Sequence, residues 1–284
     1  MSEKFSDMLV VSDIDGTILQ AGYGIPKENI DAIDSFIEAG GLFTVATGRS
    51  TESVEKYIEW LRFSAPAILC NGGLIYDFQR RRVLYEKTLD SSIIDVIEDI
   101  KKNFDSVGIE IHRGGKIIAV KMNEFVLSHT ALEHISFTLM DLASVGGEWN
   151  KILFADTPEN TVKIKRFVEK RQKTDAVYKR FEFIQTSASY FEVLPAGVNK
   201  GEGLKKLAEI LNIDIKKTVA IGDYENDLPM LKVAGYSAAV ADASAEVRSH
   251  VDVTVKSCLQ GGVAELLESM NTIHDGYIQM RLDM

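Results

Sequence analysis

The sequence has no cysteine framework, no membrane-spanning run and no signal-peptide layout, and each absence excludes a class of protein. Cys70 and Cys258 are the only cysteines among 284 residues, and their spacing fits neither a disulfide framework nor a zinc site. No stretch approaches the roughly 18 apolar residues of a membrane span, and the polar residues 1–7 lack the layout of a signal peptide. We therefore expect a cytoplasmic protein without a membrane partner.

Positive charge is also scarce. Lys and Arg number 32 against 42 Asp and Glu, which gives a formal net charge of −10. The densest basic run, residues 80–82, is too short for a nucleic-acid recognition segment, so we expect no nucleic-acid partner. The apolar fraction of 45% is enough for a packed core.

Strands that alternate with helices open and close the chain. Apolar runs at 8–12, 42–46 and 67–70 have the pattern of buried strands, and amphipathic helical patterns follow the first two. The same alternation returns after residue 195, with a strand at 218–221. Repeated strand-helix units predict an α/β fold with a doubly wound, Rossmann-like parallel sheet.

The middle of the chain follows a different pattern. Short paired strands mixed with helices lie there, which favours an antiparallel α+β module. We therefore expect residues 1–77 and 190–284 to form the core together, with residues 78–189 as an inserted α+β cap domain.

Two carboxylates, Asp13 and Asp15, follow the first strand directly and precede Gly16-Thr17. Residues i and i+2 of an extended segment point to the same side, so both acids can face one ligand. Clustered carboxylates favour a divalent cation, and one of them can attack phosphorus while the other moves a proton. A polar strand exit with Asp as a turn former is the alternative, which the preceding strand and the Gly-Thr pair disfavour.

Two further segments have groups that suit a phosphate. Thr47 and Gly48 follow the second strand at a helix start, where a hydroxyl and backbone N–H groups can bind an anion, although a plain helix cap is an equal alternative. Lys200 opens a helix, where the macrodipole disfavours a cation. A lysine there could neutralise phosphate, whereas a solvated surface lysine is the alternative.

The strand at 218–221 ends in a second acidic segment. Asp223 follows Gly222 at the strand end, and Asn226 and Asp227 lie in the next turn. Asp223 can bind magnesium directly and Asp227 can hold a metal-bound water. An Asp/Asn-rich turn that caps a helix is the alternative.

The histidines are not expected to bind metal. None of the five has a partner at the spacing of a metal site, so each is expected to be structural or exposed. They are His112, His129, His134, His250 and His274.

The four polar segments, taken in order, resemble the haloacid dehalogenase (HAD) superfamily, and the large insert is similar to the cap of its Cof-type phosphatases of subclass IIB. The resemblance covers nearly the whole chain. It implies a magnesium-dependent phosphatase that hydrolyses the phosphomonoester of a small metabolite, a sugar phosphate or similar, through an aspartyl-phosphate. A monomer or a small homo-oligomer is the expected assembly.

The resemblance also implies a role for each site residue. Asp13 would be the nucleophile, and Asp15 would protonate the leaving alcohol and then deprotonate the hydrolytic water. The implied phosphate ligands are Thr47, Gly48, Lys200 and Asn226. The implied Mg²⁺ site consists of Asp13, Asp15 through its backbone carbonyl, Asp223 and Asp227.

One departure from the family pattern adds a charge. Asp242 stands where the family usually has Asn, and an added carboxylate near the phosphate could weaken anion binding or alter the metal preference.

Two other functions fit the same motifs. One is a phosphosugar mutase of the same superfamily, which returns the phosphoryl group to its substrate. The other is a non-catalytic phospho-accepting receiver or binding module. Asp15, Lys200 and the large insert disfavour the second alternative, because a regulatory module releases no leaving group. The sequence leaves the substrate itself open.

Overall fold

The structure of the protein is a computed structural model that describes residues 5–132 and 135–273. The outer ends of the two predicted core segments, 1–4 and 274–284, lie outside the described residues, as do His134 and His274. Within the described ranges, no helix is both long and apolar enough to cross a membrane.

Fourteen strands and nine α-helices lie in the described residues. The strands are β1 (Leu9–Ser12), β2 (Leu42–Val45), β3 (Ala67–Leu69), β4 (Leu74–Asp77), β5 (Arg82–Glu86), β6 (Gly108–Arg113), β7 (Lys116–Lys121), β8 (Phe137–Leu139), β9 (Lys151–Ala155), β10 (Phe181–Gln185), β11 (Tyr190–Pro195), β12 (Thr218–Gly222), β13 (Tyr236–Val240) and β14 (Val253–Val255). The helices are α1 (Lys27–Glu38), α2 (Thr51–Glu55), α3 (Ile93–Asn103), α4 (Glu124–Leu132), α5 (Pro158–Thr174), α6 (Lys200–Leu211), α7 (Leu228–Val233), α8 (Ala245–Arg248) and α9 (Gly262–Ile273).

Contacts divide the chain into two compact units. The first unit contains the chain up to Thr47, Tyr57–Leu84, and the chain from Asn199 onward. The second unit contains Gly48–Lys56 and Tyr85–Val198. The domain boundaries drawn from the sequence, at 77/78 and 189/190, stay a prediction beside this division.

The first unit is built on a parallel sheet with the strand order β14-β13-β12-β1-β2. All neighbouring strands in it run parallel. β1 is buried along its whole length, as expected of a central strand that is covered on both faces. The predicted α/β fold with a parallel-sheet core is therefore confirmed.

β3 meets the predicted parallel arrangement through a short contact rather than a full ladder. It pairs antiparallel with β4, and the parallel bridge Ala46–Ile68, with the hydrogen bond from the N–H of Thr47 to the carbonyl of Ile68, joins it to the chain after β2. The chain reverses at once after β3, because Asn71 and Gly72 adopt positive φ angles of 54° and 100°.

The second unit is built on a six-stranded sheet with the order β10-β11-β9-β6-β7-β8. Its pairs are antiparallel except for β7 and β8, which run parallel. Ile97 of α3 and Ile164 of α5 belong to the core cluster of one face. Val126 of α4 packs with Ala119 and Leu153 in a separate small cluster. The sheet therefore has an apolar core under α3 and α5 and a second, more polar face near α4.

Gly72 lies at a close approach of two backbones in the first unit. Its φ is +100°, and a Cβ atom built on it would lie 2.2 Å from the backbone oxygen of Asn199. Asn199 is the N-cap of α6, and its side chain accepts a hydrogen bond from the N–H of Glu202 at 3.0 Å. The turn after β3 therefore packs directly on the start of the helix that carries Lys200.

Gly72→Ala is expected to destabilise the protein by at least about 3 kcal/mol, since it adds a backbone overlap to the strain of a positive φ. Gly22→Ala is the matched control, because Gly22 also has a positive φ but a Cβ there meets nothing within 4 Å. The control should cost only about 1–2 kcal/mol. Urea unfolding followed by circular dichroism measures both, and equal losses would contradict the close approach.

Candidate active site

The first strand of the parallel sheet and both of its neighbours end at one edge. In the register of the sheet, Ser12 at the end of β1 lies beside Ile221 of β12 and Val45 of β2. The N–H of Asp13 continues this ladder by donating to the carbonyl of Ile221 at 2.9 Å. Since Asp223 follows β12 in the same way, the structure brings both predicted acids to one edge of the sheet.

Lys200 lies between two carboxylates in the interior of the first unit. Its Nζ donates to Oδ1 of Asp13 and to Oδ1 of Asp227, both at 2.5 Å. Lys200 is only 1% exposed. The solvated surface lysine considered from the sequence is therefore wrong for this residue, and the conflict between a cation and the start of α6 is relieved by the two acids.

Asp227 uses both of its oxygens inside the protein. Oδ1 accepts from Lys200, while Oδ2 accepts from the backbone N–H groups of Asp223 and Tyr224 at 3.0 and 3.1 Å. The side chain is completely buried. Asp227 therefore fixes the position of the lysine and the backbone of the strand end at the same time.

Asp223 is held by the segment that follows Asp13. Thr17 donates from Oγ1 to Oδ1 of Asp223 at 2.8 Å. Gly16 has a φ of +89°, and a Cβ there would lie 2.4 Å from Oδ2 of Asp223. Glycine is needed at this position because the carboxylate packs against the backbone. Sequence reasoning gave no site role to Thr17, although the Gly-Thr pair after the two acids was the available signal.

The acids raise one another's pKa. Burial raises the pKa of Asp13 well above its usual range, Lys200 opposes the rise, and Asp227 and Asp223 add to it. Burial and the charge of Asp227 raise the pKa of Asp223 to about 7. Burial lowers the pKa of Lys200, but the charges of Asp13 and Asp227 outweigh that effect and the net shift is upward. One ammonium group therefore does not neutralise the acids around it.

A divalent cation fits this excess of negative charge. Carboxylate oxygens of Asp13, Asp223 and Asp227 lie within 4.8 Å of one another. Oxygen ligands are those that Mg²⁺ and Ca²⁺ prefer in proteins. Asp15 lies two residues beyond Asp13 and, unlike it, is exposed to solvent.

The other predicted phosphate ligands are Thr47 and Gly48, which follow β2, and Asn226, which lies in the turn after β12. Thr47 is buried, and its N–H donates to the carbonyl of Ile68 at 2.9 Å, so this amide is not free for an anion. Asn226 donates from Nδ2 to Oδ1 of Asn71 at 3.2 Å. Gly48 follows Thr47 directly and belongs to the second unit. Asn71 was not predicted as a site residue, because its position depends on the reversal of the chain after β3.

Two further polar side chains, those of Arg49 and Asp242, make hydrogen bonds to groups close to them. Arg49 donates to the hydroxyl of Ser53 at 2.7 Å and so supports α2. Asp242, the departure from the family pattern, accepts a hydrogen bond at Oδ1 from the N–H of Cys258 at 3.2 Å. Burial and the charge of Asp242 raise the pKa of the Cys258 thiol to about 12. Asp242 therefore supports the loop that contains it.

Comparison with known proteins gives consistent matches over most of the chain. A sequence model of haloacid dehalogenase-like hydrolases matches residues 10–267. The 5-amino-6-(5-phospho-D-ribitylamino)uracil phosphatase YwtE of Bacillus subtilis is 28% identical over 290 residues, which cover 92% of this chain and 97% of that protein.

Solved structures match equally broadly. A haloacid dehalogenase-like hydrolase from Bacteroides thetaiotaomicron has a TM-score of 0.82 at 23% identity and covers 93% of this chain and 99% of its own. The HAD subclass IIB sugar phosphatase BT4131 has a TM-score of 0.79 at 17% identity, with 93% and 99% covered. At these identities the two structures show the shared fold.

The raised pKa of Asp223 predicts how stability depends on pH without divalent metal. Because its pKa rises from 3.8 to about 7 on folding, the folded protein keeps a proton that the unfolded chain has lost. Stability should therefore fall between about pH 4 and pH 7, by up to about 1.4 kcal/mol per pH unit from this group. Urea unfolding in EDTA should show this fall in the wild type and a shallower one in Asp223→Asn. Parallel curves would contradict the prediction.

Proposed function

The chain belongs to the haloacid dehalogenase-like hydrolase family, as one of its phosphatases, and we propose that it hydrolyses the phosphomonoester of a small metabolite with Mg²⁺ through an aspartyl-phosphate intermediate. The observation that supports this most strongly is the buried Lys200 between Asp13 and Asp227, with Asp223 beside them. In this arrangement an ammonium group orients a carboxylate and opposes the rise of its pKa, next to a cluster of oxygens that could bind a cation.

Asp13 is the proposed nucleophile. Its Oδ1 is held by Lys200, and the side chain is only 6% exposed. A carboxylate oxygen of Asp13 would form a bond to phosphorus while the bond from phosphorus to the leaving alcohol breaks. Water would then attack the phosphorus of the aspartyl-phosphate, which releases inorganic phosphate and restores the carboxylate. Lys200 opposes the effect of burial on Asp13 and so favours its ionised, nucleophilic form.

Asp15 is the proposed general acid and base. It lies two residues after the nucleophile and is exposed to solvent, so it can exchange protons with a bound substrate or with water. It would give its proton to the oxygen of the leaving alcohol in the first step. In the second step it would take a proton from the attacking water, which returns it to its starting form.

Asp13, the backbone carbonyl of Asp15, and Asp223 are the proposed Mg²⁺ ligands. The all-oxygen donor set and its surplus of negative charge fit a hard divalent cation. When bound, Mg²⁺ neutralises charge on the phosphoryl oxygens. Asp227 belongs to the same cluster, but both of its oxygens are engaged by Lys200 and by two backbone amides. We therefore assign it the role of positioning Lys200 and Asp223.

Thr47, Lys200 and Asn226 are the proposed phosphate ligands. The hydroxyl of Thr47 follows β2 at the sheet edge, and the amide of Asn226 is oriented by Asn71. Positioning and charge neutralisation supply most of the catalysis in phosphoryl transfer. Groups that hold the phosphate and neutralise its charge can therefore contribute without forming a bond to it. Gly48, the next residue after Thr47, stays a prediction.

A sugar phosphate or a similar small metabolite is the proposed substrate, and the cytoplasm is the proposed compartment. The relative YwtE is named for a phosphorylated ribityl compound, so 5-amino-6-(5-phospho-D-ribitylamino)uracil belongs in a screen of phosphorylated metabolites. The screen should measure both free phosphate and isomer formation. Mg²⁺-dependent phosphate release supports hydrolysis, whereas an isomer without free phosphate would identify a mutase.

Asp13→Asn is expected to lower kcat for Mg²⁺-dependent hydrolysis of an aryl phosphate at least about a thousandfold, because an amide is a poor nucleophile. Phosphate release by the full chain with Mg²⁺, and with EDTA in its place, measures the effect. Asp31→Asn is the matched control, since Asp31 is an exposed residue paired with Lys27 on α1. Near-wild-type turnover by folded Asp13→Asn would rule Asp13 out as the nucleophile.

Asp15→Asn should slow the hydrolysis of substrates with poor leaving groups more than that of substrates with good ones. The variant cannot protonate the departing alcohol, and this matters more for an alkyl than for a nitrophenyl leaving group. We expect kcat/KM to fall about 100-fold or more for an alkyl phosphate and distinctly less for p-nitrophenyl phosphate. An equal loss for both substrates would remove the role of Asp15 as general acid.

A further inference from the structure

A second cluster of metal-binding side chains lies within the second unit. Glu110 and His112 are two residues apart on β6, so their side chains lie on the same face of the sheet. His129 extends from α4 to the same place, and its ring contacts that of Tyr190 at a centroid distance of 4.9 Å. Glu110, His112 and His129 are 0%, 1% and 6% exposed.

The distances between the donor atoms are those of a coordination site. Oε2 of Glu110 lies 2.9 Å from Nδ1 of His129 and 3.3 Å from Nε2 of His112. Two ligands bound to one ion at about 2.0–2.1 Å, with angles between octahedral and tetrahedral values, are about 2.9–3.4 Å apart. All three residues offer a ligand atom within 4.8 Å of the others.

The nitrogen atoms that would bind the ion make hydrogen bonds to Glu110 in this structure. They are Nδ1 of His129 and Nε2 of His112, and both contact Oε2 of Glu110. A bound ion would take the place of the protons in these hydrogen bonds, since a proton on a ligand atom competes with the metal.

The buried negative charge of Glu110 requires a compensating positive charge. The same unit contains the buried ammonium of Lys151, which pairs with Glu192 at 2.8 Å and donates to the carbonyl of Gly48 at 2.8 Å. Lys151 and Glu192 offset each other's charge, while the carboxylate of Glu110 contacts two histidines. A buried carboxylate in such surroundings is stabilised either by a proton shared with a histidine or by a metal ion.

We propose that Glu110, His112 and His129 form a binding site for a divalent transition-metal ion of the Zn²⁺ type that joins α4 to the sheet of the second unit. Two imidazole nitrogens and one carboxylate suit Zn²⁺, Co²⁺ or Fe²⁺, whereas Mg²⁺ prefers oxygen ligands. The site is therefore chemically distinct from the carboxylate cluster of the first unit. It does not depend on the proposed phosphatase mechanism.

Co²⁺ added to the metal-stripped full chain in excess Mg²⁺ tests this site, because Mg²⁺ occupies the oxygen site and Co²⁺ reports nitrogen ligation by visible absorption. One Co²⁺ ion should bind per chain with an absorption band that Zn²⁺ abolishes on displacing it. His129→Gln should bind Co²⁺ about 100-fold more weakly or worse, since loss of a direct ligand exceeds the effect of losing its supporting groups. The matched control is His250→Gln, because His250 is exposed and hydrogen-bonded to the carbonyl of Glu246. It should bind as the wild type does.

A second measurement keeps the proposal testable if the variants fail to fold. Zn²⁺ added to the metal-stripped wild type in excess Mg²⁺ should raise the melting temperature, because an ion that binds the folded state stabilises it. The absence of both the absorption band and this rise would overturn the proposal and leave a shared proton as the partner of Glu110. Unchanged Co²⁺ affinity in folded His129→Gln would overturn it as well.

Discussion

The buried contact of Lys200 with Asp13 and Asp227 is the constraint on which the core of this protein depends. It joins three parts of the chain that are distant in sequence, at the ends of β1 and β12 and at the start of α6. Removing one partner from a buried ion pair costs about 3–5 kcal/mol, because the remaining charge is left without compensation. The same contact that orients the proposed nucleophile therefore holds the sheet edge together.

This contact leaves the edge of the sheet with unbalanced charge. Lys200 donates to two acids, and Asp223 is a third acid, whose carboxylate accepts a hydrogen bond from the hydroxyl of Thr17. The raised pKa values of Asp13 and Asp223 follow from that imbalance and from burial. A cation at this edge would relieve the repulsion, so metal binding there would increase the stability of the first unit.

Sequence reasoning located this site because parallel strands end together. Asp13 and Asp223 each follow a buried strand, and that placement was enough to predict their proximity. The antiparallel turn of β3 and the contact of Asn71 with Asn226 could not be predicted, because both depend on the positive φ angles after β3. The histidines were judged by spacing along the chain. Glu110 and His129 are brought together by the packing of α4, which that spacing does not record.

Both units contain buried carboxylates whose negative charge must be compensated, and different neighbouring groups compensate it. In the first unit an ammonium group and backbone amides surround the acids, and the atoms left for an added ion are oxygens. In the second unit two imidazoles surround Glu110, and two of the three donor atoms are nitrogens. Mg²⁺ prefers oxygen ligands, whereas Zn²⁺ is well suited to imidazole nitrogens. This difference in donor atoms therefore favours a different ion in each unit. The side chains around each acid, rather than the acid itself, would therefore decide which ion each unit binds.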